Sequence, residues 1–115
     1  MTPNLLDHSV PRERSPILGS PNRLKLSIFA LNSARGTSVS FAESLPRATW
    51  SESVRLVKAA EDAGLEAVLP VAKWRNVGPA PDLVTDRIFE AFTWSAAVAA
   101  ITGSIQVFST FHVPF

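Results

Sequence analysis

The sequence predicts an α/β chain with the order β-loop-α-β-loop-α-β and parallel strands. Three observations predict it: three short apolar runs, two helical segments alternating with them, and long loops only on the C-terminal side of the strands. Alternation of this kind implies right-handed helical crossovers between neighbouring parallel strands.

Residues 1–22 are polar and punctuated by Pro3, Pro11, Pro16 and Pro21, which predicts an extended arm, mobile unless it docks. Residues 24–30 (LKLSIFA) alternate and then run apolar, as a strand buried on both faces would. A loop with Gly36 follows from Asn32. Thr49-Trp50-Ser51-Glu52 has the form of a capping box, in which hydroxyl and carboxylate satisfy each other's backbone donors. Trp50, Val54, Val57 and Ala60 then recur at helical spacing, widened by Leu56 and Ala63, with Lys58 and Asp62 one turn apart on the solvated side. Gly64 is placed to end that helix in the left-handed conformation.

Residues 65–72 (LEAVLPVA) form the second apolar run. Pro70 cannot donate to a ladder and marks a strand end or local break. A long loop over residues 73–85 leads to a helix over about residues 86–102, with Phe89, Phe92, Ala96 and Ala100 as its expected buried stripe and Gly103 as its stop. Phe92 and Trp94 are expected in the core. Residues 105–111 are the third strand. Because the loops after the strands are long and those before them tight, a site is expected at the C-terminal strand ends. Three strands and two helices fall short of a closed (β/α)8 barrel of about 250 residues. The pattern therefore reads as a cut-off βαβαβ unit over residues 23–115, with one sheet edge left open.

Composition narrows the function. The chain has 115 residues, 46% hydrophobic and 18% charged, with a net charge of +1, so it can bury a core and carries no basic stripe for nucleic acid or an anionic membrane. Zero cysteines remove disulfides and thiolate metal sites, and no apolar run approaches the roughly 20 residues that cross a bilayer. Nor does the sequence hold a GxGxxG, a P-loop, an HExxH or any metal-ligand spacing. A cytoplasmic protein without a metal is expected. Glu52, Glu61 and Asp62 read as solvated helix charges.

The segments LKLSIFALN, WSESVRLVKAAEDAGLEAVLPVAKWR and FEAFTWSAAVAAITGSIQVFSTFHVP, collinear over residues 23–115, resemble the start of luciferase-like flavin-dependent monooxygenases. The nearest resemblance is to the pyrimidine, dimethyl sulfone and alkanesulfonate monooxygenase branch. The resemblance implies FMN bound at the C-terminal face of a barrel, reduced by a separate flavin reductase, and used with O2 to oxygenate a small organosulfur or nitrogen-heterocycle substrate. In such enzymes the cofactor supplies the chemistry and the protein orients reactants and excludes water. On this likeness the 115-residue chain is an N-terminal fragment, the incomplete βαβαβ portion of a (β/α)8 TIM barrel, inactive by itself. Two alternatives stand beside it: a non-catalytic barrel fragment that self-associates through its open edge into a homo-oligomer, and a deazaflavin-dependent oxidoreductase of the same fold.

The resemblance also singles out residues. Ala72 and Lys73 stand where relatives contact FMN, and a lysine there suits an anionic reduced flavin, whereas the residues alone allow a solvated loop lysine. Trp74 and Arg75 line either a substrate pocket or merely the barrel mouth. Ser109 and Thr110 match a pair beneath the flavin ring, sometimes joined by a cis peptide. His112 is a candidate acid-base residue, against the plainer reading of a hydrogen-bonded structural histidine. Asn32, after the first strand, is a candidate substrate contact, although its surroundings hold one glycine where relatives are glycine-rich.

Overall fold

The computed structural model describes residues 14–37, 42–43, 46–73 and 87–113. Trp74, Arg75, most of the loop at residues 73–85 and the first thirteen residues of the arm lie outside them. The elements are α1 (Pro16–Gly19), β1 (Ser27–Phe29), a short 3-10 turn (Ala34–Thr37), α2 (Trp50–Asp62), β2 (Ala67–Leu69), α3 (Ala91–Ile101) and β3 (Gln106–Val107). The three strands form one parallel sheet in the order β1-β2-β3, with Ile28 beside Val68 and Val68 beside Val107. The expected parallel α/β architecture is thus the observed one: an open sheet consistent with part of a luciferase-like TIM barrel.

Both long helices cover one face of this sheet. Val57 and Ala60 of α2, Trp94 and Val98 of α3, and Val68 of β2 share a core with Leu31 and Ile105, and Ile28 and Val107 pack against it. The two-residue alternation puts Phe29, Leu69 and Phe108 on the opposite face, where Phe29 is 53% exposed and Phe108 40%. β1 is therefore not buried on both faces as expected, since Ile28 packs against the core and Phe29 is exposed.

The described end of the arm, residues 14–22, differs from its expected extended form. Ser15 caps α1 by accepting from the Leu18 amide, and Pro16 presets the first helical φ. The segment then docks across the N-terminal ends of the strands. Ser15 Oγ donates to Gln106 Oε1 (3.3 Å), and Ser20 Oγ and Asn22 Nδ2 donate to Glu66 Oε1 (3.1 and 2.7 Å). Glu66 is buried, and its other oxygen accepts from the Leu26 amide at 2.7 Å. That bond first, then those from Asn22 and Ser20, lowers its pKa from 4.5 to about 2.

In α2 the capping box is half formed. Thr49 Oγ1 accepts from the Glu52 amide, but the Glu52 carboxylate accepts from the Arg47 amide, two residues upstream of the expected donor. Trp50 is largely exposed and Ala63 lies outside, whereas Ser53 takes a core position. Its hydroxyl donates to the Leu31 carbonyl (3.4 Å) and accepts the Trp94 indole N–H (3.1 Å), so a polar side chain is satisfied where α2, α3 and β1 meet. The helix ends in a Schellman motif. Gly64 has φ +78°, its amide bonds the Glu61 carbonyl, and the Leu65 amide bonds that of Ala60.

α3 begins at Ala91, not near residue 86, because residues 87–89 are extended against 32–34. The Ala34 amide bonds the Arg87 carbonyl, the Phe89 amide bonds that of Asn32, and Ser33 bridges Ile88. Its buried face is Ala91, Trp94, Ser95 and Val98, not the expected Phe92, Ala96 and Ala100. A helix this apolar all round has no spacing that selects a face, and the large Trp94 takes the core side. At its end Thr102 turns to extended backbone, and Gly103 keeps an ordinary φ.

Glu61 also departs from expectation. Its Oε1 accepts from the amides of Gly103 and Ser104 (both 2.7 Å) and Ile105 (3.3 Å), and Lys58, expected to pair with Asp62, bonds its other oxygen at 3.0 Å. The carboxylate thus staples α2 to the turn into β3. The Ser104 amide chiefly, with those of Gly103 and Ile105 and the Lys58 ammonium, lowers its pKa from 4.5 to about 2.

Two outcomes follow. Both carboxyls have depressed pKa values, so their stabilisation is complete above pH 4.5 and is lost as pH falls through about 2. Urea midpoints should be level above about pH 5, decline below pH 4.5, and decline less in Glu61→Gln, which should be less stable at pH 7 by about 1–3 kcal/mol. Ser53→Ala, which leaves the buried indole N–H of Trp94 without its partner, should cost about 1–3 kcal/mol by the same assay.

Candidate functional site

The β1–β2 ladder stops where β2 ends, at Leu69, and Pro70 follows with its missing N–H on the β3 side. The last ladder bond runs from the Ala30 amide to the Leu69 carbonyl at 2.8 Å. Beyond it the chain of β1 turns through Ala30 at φ +66°, a left-handed conformation that costs a non-glycine residue about 1 kcal/mol. Past β2, residues 71–73 run on without strand partners. A cavity of about 280 Å³ opens here, lined by Val71, Ala72 and Lys73, by residues 88–92, and by Thr110, Phe111 and His112. It lies at the C-terminal ends of β2 and β3, the end that the loop lengths indicate.

The walls are mainly apolar. Phe92 and Phe111 meet with ring centroids 5.7 Å apart and planes tilted by 38°, both more than half exposed. Phe92 therefore faces the cavity and not the core expected for it. Glu90 caps α3, its carboxylate accepting from the amides of Phe92 (2.9 Å) and Thr93 (2.7 Å) and from the Thr93 hydroxyl (2.7 Å). The Thr93 amide leads in holding its carboxyl below the usual range, so the rim carries an anion already committed to the helix end.

The residues singled out by sequence divide into three groups. Ala72, Lys73, Thr110 and His112 come together in the cavity lining. Thr110 Oγ1 donates to the Pro70 carbonyl (3.1 Å), and His112 Nε2 lies 2.6 Å from the Ala72 carbonyl, so the end of β3 is tied to the end of β2. A carbonyl only accepts, so Nε2 carries a proton there, and in the neutral ring Nδ1 is left as the acceptor. Ser109 is exposed next to this cluster, and the peptide joining it to Thr110 is trans. Asn32 is wholly buried behind the lining, with its amide spent on backbone. Trp74 and Arg75 fall outside the described residues. Sequence reasoning overlooked Glu90, Phe92 and Phe111. Glu90 had a readable signal, an acceptor placed to cap the following amides, but a helix expected to begin near residue 86 puts it inside the first turns.

A family model described as luciferase-like monooxygenase matches residues 24–115. The chain belongs to this family. Comparison with curated proteins and with solved structures returned no match. Membership of the luciferase-like monooxygenases makes this a chain of the flavin-type monooxygenase class, and the cavity is consistent with part of a flavin. Apolar walls with two phenyl rings, a lysine and a threonine hydroxyl fit the ring system of such a cofactor. The same lining does not fit its phosphate. The first free amides of α3 are the ready anion site here, and Glu90 already fills it. No described helix is long and apolar enough to cross a membrane.

Proposed function

We propose that the chain forms the opening part of an FMN-dependent monooxygenase of the pyrimidine, dimethyl sulfone and alkanesulfonate branch. It would take reduced flavin from a separate reductase and, with O2, oxygenate a small organosulfur or nitrogen-heterocycle substrate. The observation that carries this reading is the convergence of Ala72, Lys73, Thr110 and His112 on one apolar cavity at the C-terminal strand ends, in a chain of this family. Bound reduced FMN supplies the electrons that activate dioxygen.

The chain's own residues then have separate duties. The half-buried Lys73 brings positive charge to the lip, where it favours an anionic ring. Thr110 keeps lone pairs for accepting while its proton goes to Pro70. His112, its Nε2 proton directed at Ala72, is able to take a proton at Nδ1. The aromatic walls exclude water, which strengthens each of these polar contacts. The phosphate must be held by other groups than the α3 terminus, so the 115-residue chain by itself should bind FMN weakly.

Titration of the labelled chain with FMN, oxidised and then anaerobically reduced, tests this by amide chemical shifts. Perturbations should centre on Ala72, Lys73, Phe92, Thr110 and His112. Lys73→Ala should weaken the reduced form about fivefold, and the oxidised form less, as loss of one partly screened ion pair does. Shifts confined to other surfaces, or none at millimolar FMN, would defeat the proposal.

A second reading is favoured by the exposed Phe29 and Phe108 on the face away from the helices, and by the outer edges of β1 and β3, which no described strand pairs. On that reading copies of the chain associate through the sheet. Sedimentation velocity should then show oligomers that dissociate on dilution, and a monomer at high concentration excludes it.

A further inference from the structure

Asn32 holds the cavity together from behind. Its Nδ2 donates to the carbonyls of Val71 and Phe89 (2.9 Å each), its Oδ1 accepts from the Val71 amide (2.9 Å), and its own carbonyl accepts from the Phe89 amide (2.9 Å). Toward Val71 the side-chain amide pairs as a neighbouring peptide would, with one bond given and one taken. It does so just past the last β1–β2 ladder bond, from the Ala30 amide to the Leu69 carbonyl, and takes the next amide beyond β2 that faces the β1 side. Toward Phe89 it fixes the segment that leads into α3. Val71 and Phe89 belong to two different walls of the cavity, and Asn32 is the one described side chain bonded to both. The left-handed turn at Ala30 comes two residues before it, and such strain persists only where surrounding structure enforces it.

We propose that Asn32 is a positioning residue of the site: it sets the separation of the β2 wall from the α3 wall without touching the ligand. This rests on the reading of the cavity as the flavin pocket, and it replaces the direct substrate contact expected from the sequence. Only a carboxamide serves both walls. A carboxylate of the same shape keeps an acceptor for the Val71 amide but sets a negative charge against the carbonyls of Val71 and Phe89. An alanine keeps neither.

Amide hydrogen exchange on the full chain separates these cases. In Asn32→Ala, exchange at Val71 and Phe89 should rise about tenfold or more, while Val57 and Ala60 on α2 change little. In Asn32→Asp, Val71 should stay protected and Phe89 lose protection, and this variant decides alone if the alanine variant does not fold. Even acceleration throughout the core, or unchanged walls, would overturn the proposal. FMN titration supplies the second arm. Asn32→Asp should weaken FMN about tenfold, while Val98→Ala, which opens the core away from the cavity, leaves it within about twofold at similar thermal loss. Equal weakening by both variants counts against Asn32. If the unaltered chain takes up no FMN, the flavin reading fails and the exchange pattern still decides the role of Asn32.

Discussion

A parallel sheet pairs its backbone only with neighbours, and here β2 is the strand with a neighbour on each side. Val68 sits beside Ile28 and Val107, is fully buried, and stands in one core with the helices that carry the chain from strand to strand. Because both helices take the same face, hydrophobic burial is concentrated there, and among the described residues of the other face Phe29 and Phe108 are left exposed. That one-sidedness is the constraint from which the rest follows. It is the arrangement of a barrel wall, whose inner side is filled by other strands, and it differs from a doubly wound sheet, which is clad on both sides.

The two ends of the sheet are secured by different means. At the N-terminal end two carboxylates, Glu61 and Glu66, gather backbone amides and polar side chains from distant parts of the chain. At the C-terminal end the ties are neutral: the Asn32 amide, the Thr110 hydroxyl and the His112 ring each bond a carbonyl near the end of β2. Charge-assisted bonds make for a firm base. Neutral bonds at the other end add no charge of their own, so the field in the cavity comes from Lys73 and the Glu90 carboxylate among its described lining residues.

The alternation of apolar runs with helical segments was enough to read three neighbouring parallel strands. Periodicity was a poor guide to which helix face is buried. Ala96 and Ala100 looked like core and lie outside, and Ser53, absent from the expected apolar stripe, lies inside, where its hydroxyl accepts the Trp94 indole N–H. Ala72, Lys73 and Thr110 were singled out by the family likeness and His112 as a lone histidine near a strand end, and all four line one cavity. Asn32 was legible as important but not for the right reason, since its partners, Val71 and Phe89, are brought to it only by the fold. Glu61 was invisible as a staple because its three amide donors lie more than forty residues along the chain.

Gly64 and Gly103 look alike in the sequence, each a glycine between a helix and a strand. Neither has any atom within 4 Å of where a Cβ would sit, so room is not the issue at either. Only Gly64 occupies the mirror-image half of backbone space. Its requirement is one of handedness: a D-alanine would suit it and an L-alanine would not. Gly103 is under no such stereochemical demand, and an ordinary L residue is compatible with its backbone.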